Sequence, residues 1–89
     1  MELISAREGT TARFCFRDEA RRVQQRSVPV IAWAVTDGGE LDAVLLEPGG
    51  QPELLHSDAA RVASLIALYA PDEHPTQEQI AAAVERIRQ

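Results

Sequence analysis

Val28-Pro29-Val30-Ile31-Ala32-Trp33-Ala34-Val35 is followed by Thr36-Asp37-Gly38-Gly39-Glu40 and then by Leu41-Asp42-Ala43-Val44-Leu45-Leu46. The first run is apolar whichever alternate residues are taken, with Ile31, Trp33 and Val35 opposite Val30, Ala32 and Ala34, the pattern of a strand covered on both faces. The second run also has strand character, and the residues between the two tolerate the positive φ of tight reversals. They read as a hairpin whose first strand is central. Pro48-Gly49-Gly50-Gln51-Pro52 signals a second turn, after which Glu53 to His56 can add a short edge strand.

Towards the N-terminus, Thr10 to Arg17 alternates. Ala12, Phe14 and Phe16 fall on one face, expected to meet the core, with Thr11, Arg13, Cys15 and Arg17 on the other. Leu3-Ile4 can form an earlier strand. Between these runs and Val28, residues Asp18 to Arg26 read as a short exposed helix, with Asp18 and Glu19 where a helix N-terminus favours anions and Pro29 ending it. Towards the C-terminus the period becomes helical. Val62, Leu65, Ile66 and Tyr69 share a stripe behind a cap at Ser57 or Asp58, and Pro71 stops the helix after Ala70. Thr76-Gln77-Glu78-Gln79 matches a capping box, followed by the stripe Ile80, Ala83, Val84 and Ile87. The expected architecture is a single compact α+β domain over residues 1–89: a three- to four-stranded antiparallel sheet with two C-terminal helices packed on one face.

A stretch of 89 residues is the size of one small domain, so a multi-domain enzyme is not expected. One Cys makes no internal disulfide and fits a reducing compartment. No apolar run reaches membrane-spanning length, and the opening residues lack a cationic region followed by an apolar stretch. The expectation is a cytoplasmic protein without membrane association.

Several residues invite chemistry. Cys15 lies between Arg13 and Arg17 on one strand face, and those charges would favour its thiolate, so a reactive thiol, in a small thiol-dependent enzyme or redox protein, is the alternative functional reading. Against it, Cys is often simply a buried small residue. His56-Ser57-Asp58 and Asp72-Glu73-His74 resemble metal ligands, but a helix between them would hold them roughly 18–20 Å apart. No metal is expected, and capping explains both clusters. No serine stands in a glycine-flanked nucleophile elbow. The pairs Gly38-Gly39 and Gly49-Gly50 lack the spacing and the lysine of phosphate loops, so no cofactor is expected.

Charge is the most informative feature. Residues 1–26 carry a net +2, residues 27–60 carry six acids and no base for -6, and the remainder carries -1. An acidic hairpin either pairs with the arginines of the first segment or attracts a basic partner. It also opposes phosphate, so direct nucleic-acid binding is disfavoured. The reading is a non-catalytic regulatory or adaptor domain acting by protein contact, in a sharper version an inhibitor whose acidic face fills a basic groove of its target. Asp37, Glu40, Asp42 and Glu47 form the expected recognition surface. Tyr69, near the end of its helix, is a further interface residue. The doubly apolar strand also suggests a homodimer, or a partner, covering its second face.

Overall fold

The structure, a computed structural model, describes residues 2–88. In chain order the elements are β1 (Glu2–Ser5), β2 (Thr11–Arg17), β3 (Val23–Val35), β4 (Leu41–Leu46), β5 (Pro52–Leu54), a 3-10 turn over Leu55–Ser57, α1 (Ala59–Ser64), β6 (Leu65–Tyr69) and α2 (Gln77–Arg88). The six strands form an antiparallel sheet in the order β5-β4-β3-β2-β6, with β1 also paired to β3. The expectation of three or four strands under two helices is corrected on both counts: there are more strands, and one full-length helix.

β3 organises the sheet. Its first half pairs with β2, from Arg17↔Val23 to Thr11↔Pro29, and its second half pairs with β1, from Ser5↔Ala32 to Glu2↔Val35. β4 takes the opposite edge of that second half. Its register slips between Val30 and Ala32, which leaves Ile31 as an extra residue. A bulge of this kind bends a strand and inverts its alternation. Core-facing residues on β3 therefore change from even (Val28, Val30) to odd (Trp33), and the even residue Ala34 pairs with Asp42 on the other face.

Ala12, Phe14, Val28, Val30, Ala43, Leu45 and Leu55 make the core, with Ala6, Trp33, Leu65 and Leu68 packed around it. Burying Phe14, Leu45 or Leu55 contributes about 1.5–3 kcal/mol each. Phe16, expected to join them, is half-exposed. The reason is register: β6 begins at Leu65, opposite Phe14, so Phe16 lies beyond the paired stretch and has no β6 neighbour. The other face of β2 is covered by α2, whose fully buried Ala83 sits amid half-buried Ile80, Val84 and Ile87. The start of α2 is reciprocally capped: Thr76 N–H donates to Gln79 Oε1 (3.0 Å) and Gln79 N–H donates to Thr76 Oγ1 (3.1 Å).

One expected helix is absent and another is cut short. Asp18 to Arg22 is a reversal closed by Arg21 N–H to Asp18 O and Asp18 N–H to Arg22 O, both 2.9 Å, after which β3 begins. Arg21 there has φ 64°. The helix expected from Asp58 to Ala70 stops at Ser64, and Leu65 is extended at φ -68°, ψ 127°. A stripe at Val62, Leu65, Ile66 and Tyr69 fits a helix, but Leu65-Ile66-Ala67-Leu68-Tyr69 is also a continuous apolar run of strand length. Pairing with β2 decides between them, and Arg86 of α2 secures the junction by donating to the Leu65 carbonyl.

Candidate functional site

The four hairpin acids do not form one surface. Asp42 is buried, and its Oδ1 accepts from His56 N–H (3.3 Å) and contacts His56 Nδ1 at 2.7 Å. A carboxylate in that position places the imidazole proton on Nδ1 and leaves Nε2 facing outward. Glu47 is held between Arg26 Nη1 (3.6 Å) and Arg61 Nε (3.4 Å). Arg26, from the arginine-rich first segment, also lies 5.3 Å from the centre of the Phe14 ring, so one guanidinium serves an aromatic face and a carboxylate. Asp37 and Glu40 remain exposed at the tip of the β3–β4 hairpin and make no ion pair among the described residues.

Tyr69 is corrected from surface to interior. It sits on β6 opposite Thr11, is buried under α2, and donates its hydroxyl to Gln79 Oε1 at 2.9 Å. Burial pushes its pKa up, with nearby Arg13 partly opposing.

Cys15 is corrected in the same sense. It is fully buried beneath α2, and loss of solvation raises its pKa above the ordinary 9.0, a shift that Arg86 reduces but does not cancel. The flanking arginines of β2 do not make it a thiolate, because desolvation of the anion outweighs the cationic field.

The Asp42–His56 pair has the form of a general-base dyad, and Thr36, Glu40 and Leu41 line the cleft of about 240 Å3 beside it. No hydroxyl or thiol is hydrogen-bonded to His56 among the described residues. The Thr36 hydroxyl accepts from Glu40 N–H at 3.1 Å, and the Ser57 hydroxyl donates to Leu54 O at 2.7 Å. Among the described residues no group of three or more His, Cys, Asp and Glu side chains gathers as a metal-binding set, and no helix is long and apolar enough to cross a membrane.

What sequence reasoning missed lies at β1. The strand pairs with β3 on one edge, and its other edge is open among the described residues. Leu3 is 61% exposed, Ile4 47% and Leu41 57%. Cross-strand pairing aligns Ile4 with Trp33, so an apolar row runs from the half-buried Trp33 out to this edge, while Leu41 pairs with Val35 on the far side of β3. The β3–β4 hairpin tip follows directly from Val35, the partner of Glu2. This sets Glu2, Asp37 and Glu40 as an acidic rim at the same end. The signal was available in the apolar pair Leu3-Ile4, which sequence alone assigns to a strand without saying whether its second edge is covered.

Comparison of the chain with protein-family models, curated proteins and solved structures finds no match.

Proposed function

We propose that the chain is a non-catalytic contact domain that receives a protein partner along the open edge of β1. The observation that carries this reading is the exposure of Leu3 and Ile4 beside a row of unpaired strand backbone. An open edge with apolar side chains favours strand addition: main-chain hydrogen bonds supply affinity and alternate side chains supply selectivity. The acidic rim of Glu2, Asp37 and Glu40 selects a partner segment that is apolar in its middle and basic at its ends. This keeps the expected basic partner but moves the contact from the hairpin as a whole to its tip and the neighbouring strand. An enzyme working through Cys15 has no support from a thiol that is buried and held protonated.

The test is capture of the partner from the native host by three forms of the chain: unaltered, Leu3→Lys with Ile4→Lys, and Asp37→Asn with Glu40→Gln. Loss of capture with the lysine pair is expected. Weaker and less salt-sensitive capture is expected with the neutralised tip. Full retention by the lysine pair overturns the reading. Light scattering of the purified chain separates a second copy from a different partner, because only self-association raises the mass with concentration.

A further inference from the structure

A cleft of about 280 Å3 opens between the β1–β2 connection and the end of β6. Trp33, Leu68, Tyr69 and Pro71 give it an apolar lining, and Arg7 stands in its wall. We propose that this cleft binds a small aromatic carboxylate, with the ring among Trp33, Leu68 and Pro71 and the carboxylate on the Arg7 guanidinium.

Three observations support the assignment. First, the cleft carries a cation and no acid among its lining residues, whereas three further clefts include Glu47, Glu8, or Glu40 with Asp42. In a chain of net charge -5 this is a local reversal of sign. Second, Arg7 makes no ion pair among the described residues. Glu73, the acid near the far wall, accepts from Ala70 N–H at 2.9 Å. Third, the wall bearing Arg7 is fixed. Buried Thr10 donates both its N–H (3.0 Å) and its hydroxyl (2.6 Å) to the Arg7 carbonyl. Gly9 in the same turn has φ 90° and lies so close to Pro71 that a Cβ there would stand 3.0 Å from the proline ring. The turn and Pro71 are therefore in contact, and the backbone under Arg7 is set before any ligand arrives.

Size and chemistry narrow the ligand. The volume is just below the roughly 300–1,000 Å3 of sites for drug-sized molecules, which suits one ring or two fused rings. The apolar lining favours a planar hydrocarbon, and a guanidinium fork matches a carboxylate in two-point geometry. A partly exposed site of this size gives a dissociation constant on the order of 0.1–1 mM for a single-ring acid.

The experiment is a two-dimensional NMR titration of the full chain with benzoate, benzamide and acetate, following the indole N–H of Trp33 and the amides of Thr10, Leu68, Tyr69 and Ala70. Benzoate is expected to move these signals saturably, benzamide to do so about tenfold more weakly, and acetate to leave them unmoved. Arg7→Gln is expected to weaken benzoate about tenfold and leave benzamide unchanged. Arg7 is exposed, so the variant keeps the fold, which the unperturbed spectrum checks directly. Equal benzoate affinity in the two proteins, movement centred elsewhere on the chain, or no saturation by about 20 mM would each overturn the proposal.

Discussion

Replacing Arg21 by glycine is expected to stabilise this chain, although it removes a whole side chain. Three hairpin connections share one geometry. In each, the fourth residue donates its N–H to the carbonyl of the first, and the first donates its N–H to the carbonyl of the fifth: Asp18–Arg22, Thr36–Glu40 and Glu47–Gln51, at 2.8–3.2 Å. The fourth residue has positive φ each time: 80° at Gly39, 80° at Gly50 and 64° at Arg21. Only the first turn places a residue with a Cβ in the left-handed region. That conformation costs an ordinary L-residue about 1–2 kcal/mol. Glycine avoids this but gives back about 0.4–1 kcal/mol through the extra freedom of the unfolded chain. The net expectation for Arg21→Gly is a gain of about 0.5–1 kcal/mol, or a rise in Tm of about 2–8 °C for a domain of this size. Arg21→Ala keeps the strain and is expected to change stability by less than about 0.5 kcal/mol, since the exposed side chain makes no ion pair. Gly39→Ala should lose about 0.5–1 kcal/mol, purely through the backbone, because nothing lies within 4 Å of a Cβ built there. Urea unfolding of the three variants at neutral pH measures all of this. If Arg21→Gly and Arg21→Ala are equally stable, or the glycine form is the weaker, the strain argument fails.

His56→Ala is expected to cost about 1–3 kcal/mol in denaturant unfolding, since it removes the shorter contact to a buried carboxylate; Asp42→Asn should cost less, because an amide oxygen still accepts from the ring. Alkaline pH should destabilise the fold. Cys15 and Tyr69 both have folded-state pKa values raised above their ordinary 9.0 and 10.0, so the unfolded chain loses protons that the folded chain keeps. Their contribution is fully present below about pH 9 and is lost as pH rises through the raised values. Cys15→Ala should remove the part that begins near pH 9, and an unchanged slope between pH 9 and 10 would contradict this. Thiol labelling of Cys15 in the native protein should be slow and show no inflection below pH 9, accelerating by a factor of 10 or more in denaturant; rapid labelling at neutral pH would mean that the site opens readily.

The same turn explains how much of the fold was legible. Thr36-Asp37-Gly38-Gly39-Glu40 and Glu47-Pro48-Gly49-Gly50-Gln51 announce their reversals because glycine occupies the strained position. Asp18-Glu19-Ala20-Arg21-Arg22 builds the same reversal without it, so the acids and alanine read as the start of a helix. The remaining clue was Asp18, whose Oδ1 accepts from Arg22 N–H (2.9 Å) as the Thr36 hydroxyl accepts from Glu40 N–H. That spacing is also found in helices. Capping at Thr76 and the stripe of α2 were legible because both depend on neighbours in sequence. The identity of Leu65 to Tyr69 was not, since a short apolar run suits either structure and the partner that decides it lies more than fifty residues away in β2. For the site, the sequence located the exposed acids at Asp37 and Glu40. Burial of Asp42 and Tyr69 and pairing of Glu47 depended on contacts from His56, α2, Arg26 and Arg61, which spacing along the chain does not reveal.

The late position of β6 in the chain affects how the protein is made. During synthesis β2 and β3 can join as a hairpin early, yet the outer edge of β2 stays bare until residues 65–69 leave the ribosome, and its second face stays bare until α2 follows. A nascent chain stalled near residue 64 would carry Phe14 and Cys15 on a sticky, unfinished margin. Synthesis of residues 65–88 is therefore the interval in which chaperone capture competes with closure of the sheet.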